Sequence, residues 1–192
     1  MKTFPVPLAL GEIKKNITIA TNTLSNPSTE QIINQAVKFQ SQGNILEATK
    51  YYKQIINQGC NDHRVFINYG IILKKLGKLQ ESEFSFRKAV ELKPDDAEAH
   101  SNLGVILRNL GKLQEAEFSY RKAIDIKADF AEAHSNLGNI LKDLGNLKEA
   151  ELSLRKAIEL KPNFAEGAWN LYALSNSVKE AEERINQCLS RK

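Results

Sequence analysis

The chain has 192 residues, of which 42% are apolar and 26% are charged, a composition ordinary for a folded globular protein. Its formal net charge is +4, but the cations do not cluster with aromatic residues, which argues against nucleic-acid binding. The two cysteines have no spacing typical of metal or redox sites, and no apolar run approaches the roughly 20 residues of a membrane-spanning helix. We therefore expect a cytoplasmic protein with no metal, no cofactor, no nucleic-acid partner and no membrane partner.

Residues 1–28 are predicted to form an irregular N-terminal leader. Three prolines and many threonines and asparagines interrupt any regular apolar pattern in this segment. Ser28 is followed three residues later by Gln31, which is the pattern of a capping box at the start of a helix. The first helix is therefore expected to begin near Thr29.

From Thr29 onward the sequence repeats with a period of 34 residues. Residues 97–130 and 131–164 are identical at 23 of 34 positions, and residues 63–96 match residues 97–130 at 18 positions. A fixed period of this length is typical of a solenoid, in which each unit buries its apolar face against its neighbours. Four complete units are predicted, spanning residues 29–62, 63–96, 97–130 and 131–164.

Each unit is predicted to contain two amphipathic helices joined by a turn. In the third unit, apolar residues recur at three- and four-residue steps as far as Leu110, and the pattern resumes after Gly111. Glycine suits the left-handed conformation that often ends a helix. Such glycines recur at the end of the first helix as Gly43, Gly77, Gly111 and Gly145. Pro94 and Pro162 are expected to end second helices.

Small residues recur in the middle of the first helix, at the eighth position of each unit. They are Ala36, Gly70, Gly104 and Gly138. A small side chain there lets a neighbouring helix approach closely, so a large residue in place of Gly104 is expected to force the helices apart.

Residues 165–192 are predicted to form a truncated fifth unit that ends in a capping helix. Ala165 begins a fifth first helix, but Tyr172 replaces the small residue at its eighth position. A separate last helix is expected from Val178 to Leu189. Its charged residues would give the end of the solenoid a polar outer face.

This pattern resembles the tetratricopeptide repeat (TPR), which is marked by Leu-Gly in the first helix, a turn Gly, Ala in the second helix and a closing Pro. The resemblance covers residues 29–164 and implies an all-α, right-handed superhelical solenoid. It departs from the family at the closing position of the third unit, where Ala128 replaces Pro. It also departs at the fourth position, where the usual Trp is replaced by Ile32, Phe66, His100 and His134.

One polar residue type occupies the sixth position of every unit. This row consists of Asn34, Asn68, Asn102, Asn136 and Asn170. An amide both donates and accepts, so a row of asparagines is suited to pair with a peptide backbone of any sequence. Alternatively, each amide satisfies a local backbone group or reflects shared ancestry of the repeats. The row also resembles the repeat subtype of O-GlcNAc transferases, in which asparagines hold extended peptides, although no segment resembles the catalytic domain of that family.

Two charged rows are predicted beside the asparagines in a concave groove lined by first helices. The cationic row is Lys74, Arg108 and Lys142, and the acidic row is Glu98, Glu132 and Glu166. The cationic clamp of TPR modules that grip chaperone tails is absent, because Ile67, Glu132 and Asn136 occupy its positions. Trp169 is expected either to anchor a ligand at the groove end or to seal the terminal helices, and sealing is slightly favoured.

No phosphate-binding loop, zinc spacing or nucleophile elbow occurs in the sequence. His100 and His134 are one unit apart, about 10 Å, which is too far for both to bind one zinc ion. The sequence therefore predicts a non-enzymatic scaffold that binds a protein or peptide in its groove. The alternative is a recruiting module of a glycosyltransferase or sulfotransferase system, since such repeats often precede a catalytic domain in similar bacterial proteins. Self-association through the solenoid ends is a third possibility.

Overall fold

A computed structural model of the protein describes residues 28–189, with side chains described as far as residue 179. The predicted leader, residues 1–28, lies outside this range except for Ser28. The described residues form α-helices and no strand: α1 (Thr29–Ser41), α2 (Ile45–Asn57), α3 (His63–Lys75), α4 (Leu79–Leu92), α5 (Ala97–Asn109), α6 (Leu113–Ile126), α7 (Ala131–Asp143), α8 (Leu147–Leu160) and α9 (Ala165–Leu189). The predicted all-α solenoid is confirmed. No helix in this part of the chain is long and apolar enough to cross a membrane.

The helices pack as successive pairs, α1 with α2, α3 with α4, α5 with α6 and α7 with α8. Each pair contacts the next through its second helix and the following first helix. The first helices also contact one another directly, α5 with α7 and α7 with α9. Because each unit touches its neighbours, the apolar core runs along the stack instead of forming a single centre.

Close packing within each pair depends on the small residue of the first helix. A Cβ added to Gly104 would lie 2.8 Å from the ring of Tyr120, closer than real side chains approach. A Cβ added to Gly138 would lie 2.6 Å from Leu154. The large residue in this register of the second helix is fully buried in every unit: Tyr52, Phe86, Tyr120 and Leu154. The predicted role of the small residues is therefore confirmed.

The predicted capping box is present at the start of α1. The backbone N–H of Ser28 donates to Gln31 Oε1 at 2.8 Å, and that of Gln31 donates to Ser28 Oγ at 3.2 Å. The turns that follow the first helices contain the predicted glycines with φ between 73° and 83°: Gly43, Gly77, Gly111 and Gly145. Glycine carries no Cβ penalty in this left-handed region, which explains its recurrence there.

Replacement of the closing proline by Ala128 does not alter the turn after α6. Lys127, the residue that follows this helix, has φ −134°, against −142° for Lys93 and −140° for Lys161 in the units that keep proline. The backbone N–H of Phe130 donates to the Lys127 carbonyl at 3.2 Å, as Phe164 does to Lys161 at 2.9 Å. The same turn therefore forms with or without the proline.

The C-terminal segment differs from the sequence prediction, because α9 is one continuous helix of 25 residues. A turn before Val178 was expected to separate a fifth helix pair. Lys179 occupies the register of the turn glycine, and Tyr172 occupies that of the small residue that admits a second helix. With neither glycine present, continuing the helix is favoured over a left-handed turn. The polar cap was expected from Val178 to Leu189, and side chains are described only as far as residue 179.

Candidate functional site

The sixth-position asparagines lie on successive first helices and continue onto α9. Asn34 is exposed, and the other four are half-buried. Asn170 Nδ2 donates to Ser135 Oγ at 3.2 Å, which links α9 to α7. This amide is therefore engaged within the protein, although its partner is a side chain of the preceding unit and not the local backbone group that was the alternative.

Asn68 is also engaged within the protein, beside the hydroxyl of Tyr52. That hydroxyl donates to Gln40 Oε1 at 2.9 Å. Burial raises the pKa of Tyr52 to about 12, and the hydrogen bond with the Asn68 side chain opposes this shift. The Asn68 amide therefore lies close to this phenol, whose own hydrogen bond goes to Gln40.

Asn102 and Asn136 differ from these two, because neither side chain makes a hydrogen bond within residues 28–179. A third amide lies three residues beyond Asn136 on α7. This residue, Asn139, is only 7% exposed, and its side chain also has no hydrogen-bond partner among the described residues. Since no side-chain nitrogen or oxygen in this part of the chain is both fully inaccessible and unpaired, the Asn139 amide keeps some contact with solvent. These three amides, together with the exposed Asn34 of the row, are without a side-chain hydrogen bond among the described residues.

Sequence analysis missed Asn139, because it follows no repeat. The other complete units hold Val37, Ile71 and Val105 at this ninth position. A single amide at a position that is otherwise apolar was the available signal. A search for positions that break the repeat would have found it, whereas a search for recurrent residues could not.

The predicted cationic row is only partly available. Arg108 Nη2 donates to Asp143 Oδ2 at 3.2 Å across the unit boundary. Lys74 is exposed and Lys142 is half-buried. Among the described residues, neither lysine has a carboxylate within ion-pair distance. The two uncompensated cations therefore lie on α3 and α7, two units apart.

The predicted acidic row is not uniform either. Glu132 accepts a hydrogen bond of 2.7 Å from Lys161 Nζ, which lowers the pKa of this carboxyl below its ordinary value. Glu98 and Glu166 are exposed. One of the three carboxylates, Glu132, is thus already paired with Lys161, in the turn that follows α8.

Trp169 does not seal the terminal helices, so the slightly favoured interpretation was wrong. Its side chain is 67% exposed. The indole lies beside the exposed ring of Tyr172, with centroids 5.8 Å apart and planes tilted by 37°. An accessible aromatic pair therefore stands at the α9 end of the first helices.

The two repeat-related histidines have structural partners. His100 Nε2 lies 3.0 Å from the Pro94 carbonyl, and His134 Nε2 lies 3.0 Å from that of Ala128. Because a carbonyl oxygen only accepts, each Nε2 carries the proton and donates it. Across the described residues, no group of three His, Cys, Asp or Glu side chains is arranged to hold a metal ion.

Sequence models of the tetratricopeptide repeat match four overlapping stretches of the chain, at residues 63–96, 85–118, 106–145 and 131–164. Together they cover more than half of the chain without a gap. The chain belongs to the tetratricopeptide repeat family. No curated protein matches this TPR chain in sequence.

Solved TPR structures share the fold of this chain. MamA from Desulfovibrio magneticus has a TM-score of 0.71 at 21% identity and covers 84% of this chain and 93% of its own. YrrB, a TPR protein with an unusual peptide-binding site, has a TM-score of 0.68 at 23% identity and covers 73% of each chain. The first TPR of Spaghetti (RPAP3), solved with an HSP90 peptide, has a TM-score of 0.60 at 24% identity and covers 62% of this chain and 94% of its own. At these identities the likeness establishes the fold alone.

Proposed function

We propose that this TPR protein is a non-enzymatic scaffold that binds an extended peptide segment along its first helices, in the concave groove of the solenoid. The observation that carries the proposal is the set of unpaired amides at Asn102, Asn136 and Asn139. Each amide can donate to a backbone carbonyl and accept from a backbone N–H. Successive units are about 10 Å apart, close to three residues of extended chain at about 3.3 Å each. Amides on adjacent units therefore meet a peptide backbone at a regular interval.

The charges beside these amides are mixed, since Glu98 and Glu166 are exposed and have no ion-pair partner among the described residues. Unpaired lysines on the same surface can bind acidic side chains of a polar ligand. Lys74 and Lys142 have no carboxylate partner, whereas Glu132 on the same surface is neutralised by Lys161. An extended segment with acidic side chains gains these two cations without displacing an existing ion pair. Near α9, the exposed ring of Trp169 offers a contact for one apolar or aromatic side chain of the ligand.

Two of the structural neighbours support a binding role, since YrrB has a peptide-binding site and the RPAP3 repeat was solved with a bound peptide. The ligand of this chain is not expected to be held in the manner of a chaperone tail. Ile67, Glu132 and Asn136 stand where TPR modules of that type carry their cationic clamp. We therefore assign the main contact with the ligand to the amides and not to a cationic clamp.

The test selects ligands for the full-length protein from a displayed library of acidic peptides and measures their affinity by fluorescence anisotropy. Replacement of Asn102 and Asn136 together by Ala should weaken binding about tenfold or more, because two backbone contacts are lost. Asn163→Ala, in the exposed turn before α9, is the matched control and should have no effect. Equal binding by the double variant and the wild type would rule out the amide row as the contact surface.

A further inference from the structure

The C-terminal half of α9 has the sequence of a second helix. Residues 178–189 align with residues 147–158 of α8 at an offset of 31 residues. The sequence Lys-Glu-Ala-Glu, which starts at Lys148 in α8, recurs unchanged at Lys179. The other second helices also carry a glutamate followed by alanine or serine at this point. By its sequence, this half of α9 is therefore the second helix of the fifth unit.

The offset is three residues shorter than the period of 34, and the missing residues are those of the turn. In the fourth unit, Leu144, Gly145 and Asn146 lie between the end of α7 and the start of α8. No residue corresponds to them between Ser177 and Val178. Instead, α9 runs through this point as one helix of 25 residues. The C-terminal half of α9 therefore leads away from its own first-helix residues and does not fold back over them.

The surface that a fifth second helix would cover is open on α9. In the second and third units, the fourth, eighth and eleventh positions of the first helix are buried. In α9 the same positions hold Ala168, Tyr172 and Ser175, and all three are exposed. A groove of about 380 Å³ lies beside them, between α8 and α9, with Leu147 and Val178 in its lining. Among the described residues, no second helix covers this face of the fifth unit.

The helix α8 also presents one half of the ion pair that joins successive second helices. Arg87 and Arg121, at the twenty-fifth position of their units, each pair with a glutamate on their own helix and with the glutamate at the nineteenth position of the next unit. Arg155 holds this position in the fourth unit, and among the described residues it pairs only with Glu151 on its own helix. Its side chain is 64% exposed, against 46% for Arg87 and 41% for Arg121. In the alignment with α8, the next glutamate of the nineteenth position is Glu180, in the C-terminal half of α9.

We propose that two copies of the chain form a dimer by exchanging the C-terminal halves of α9. The two α9 helices lie antiparallel about a two-fold axis, and the C-terminal half of each covers Ala168, Tyr172 and Ser175 of the other copy. Two helices joined by a short turn also run antiparallel, so the exchanged half has the direction that second helices have in complete units. An exchanged element makes the contacts that it would make within one chain, and a shortened hinge favours the exchange. The dimer does not depend on the peptide-binding function proposed for the first helices.

Tyr172 favours exchange over closure of the helix on its own chain. In the second to fourth units, glycine at this eighth position lets the second helix approach, and an added Cβ would clash with it. With the three turn residues missing, a helix folded back on its own chain would be held against the Tyr172 ring. A helix from a second copy is not held by this turn and can lie further from the ring. Ile185, which has the register of Leu154 in α8, is then opposite Tyr172.

Analytical ultracentrifugation of the full-length protein measures the association. Wild type should sediment as a dimer, with a monomer appearing on dilution. Insertion of Leu-Gly-Asn between Ser177 and Val178, combined with Tyr172→Gly, rebuilds the turn and the small residue of a complete unit. This variant should sediment as a monomer of unchanged helix content, because its second helix can fold back on its own chain. The same three residues added after Lys192 are the control and should leave the dimer intact.

A disulfide distinguishes exchange from closure. In the second unit, Phe66 at the fourth position and Ala89 at the twenty-seventh belong to one buried cluster. In the alignment with α8, the corresponding residues of the fifth unit are Ala168 and Cys188. With Cys60 replaced by Ser, Ala168→Cys should form a disulfide with Cys188 of a second copy on mild oxidation, seen as a covalent dimer on a non-reducing gel. The same variant with Cys188→Ser is the control and should form no covalent dimer.

The ion pair allows a test by charge reversal. Arg155→Glu and Glu180→Arg should each weaken the dimer about fivefold, because the two-fold axis repeats the lost pair. The two substitutions together should restore most of the association, since each arginine then again faces a glutamate.

A wild-type protein that stays monomeric at every concentration would overturn the proposal, as would a dimer that survives the rebuilt turn. An Ala168→Cys variant that oxidises within one chain would show that the helix closes on its own unit. If the double charge variant associated no more tightly than the single variants, the dimer would form through another surface.

Discussion

Arg121 on α6 is paired with Glu149 on α8, with Nη2 of the arginine 2.6 Å from the glutamate Oε1. The same guanidinium lies 2.8 Å from Glu117 on its own helix. Arg87 repeats this arrangement one unit earlier with Glu83 and Glu115. Ion pairs therefore join α4 to α6 and α6 to α8.

Replacing Gly104 by leucine should lower the free energy of unfolding by about 1–3 kcal/mol, because a larger side chain meets the ring of Tyr120. Urea denaturation followed by circular dichroism measures this change. The cost should be smaller when Tyr120 is first shortened to Ala, since the clash is then removed. Additive costs of the two substitutions would contradict the proposed contact.

Gly111→Ala should cost about 1 kcal/mol for a different reason. No atom lies within 4 Å of a Cβ added at this position, but its φ is +76°. The loss therefore comes from backbone strain and not from a steric clash. Gly111→Asn, which tolerates the left-handed region better, should recover part of the loss in the same denaturation assay.

The buried carboxylate of Glu83 should make stability fall in acid. Burial opposes its ionisation, but hydrogen bonds from Lys112 and Arg87 outweigh this effect, so the pKa of Glu83 is below its ordinary value of 4.5. Its contribution is then complete above pH 4.5 and is lost as the pH falls through the lower, folded-state pKa. Wild type should exceed Glu83→Gln in stability at pH 7, and the difference should shrink below pH 4.5. Lys112→Met should reduce the same difference, whereas a constant gap from pH 7 to 3 would refute the assignment.

Trp169 is the only tryptophan in the chain, so its fluorescence reports directly on the α9 end of the first helices. Emission typical of indole in water and ready quenching by acrylamide are expected for an exposed ring. Trp169→Ala should change the free energy of unfolding by no more than about 0.5 kcal/mol. A blue-shifted, protected signal or a large loss of stability would mean that the ring is packed. A bound acidic peptide that reaches α9 should shift the emission of the wild type.

The fold could be predicted from the sequence because each unit repeats the same local sequence signals. The 34-residue period, the turn glycines and the contact between Gly104 and Tyr120 depend on residues within one unit or its immediate neighbour. The continuous α9 was also encoded, by Lys179 at the position of the turn glycine, but the similarity of the preceding residues to earlier units suggested another pair. Local signals at the turn outweighed that similarity.

The site was less predictable than the fold, because residues at equivalent positions of the repeat have different neighbours in the structure. Asn170 faces Ser135 and Asn68 lies beside Tyr52, whereas Asn102 has neither partner. Periodicity identifies the shared register of these residues, but only the neighbouring unit decides which amide is free. Phe84, Phe118 and Leu152 also recur at this spacing, but apolar residues on an amphipathic helix are normally predicted to be core until their exposure is known.

Because α9 is a single continuous helix, the surface formed by the first helices is longer than the surface formed by the second helices. α9 adds a fifth first helix, with Asn170 and Trp169, but no fifth second helix follows it within the described residues. A segment bound along the first helices could therefore extend one unit, about 10 Å, beyond the last second helix, α8.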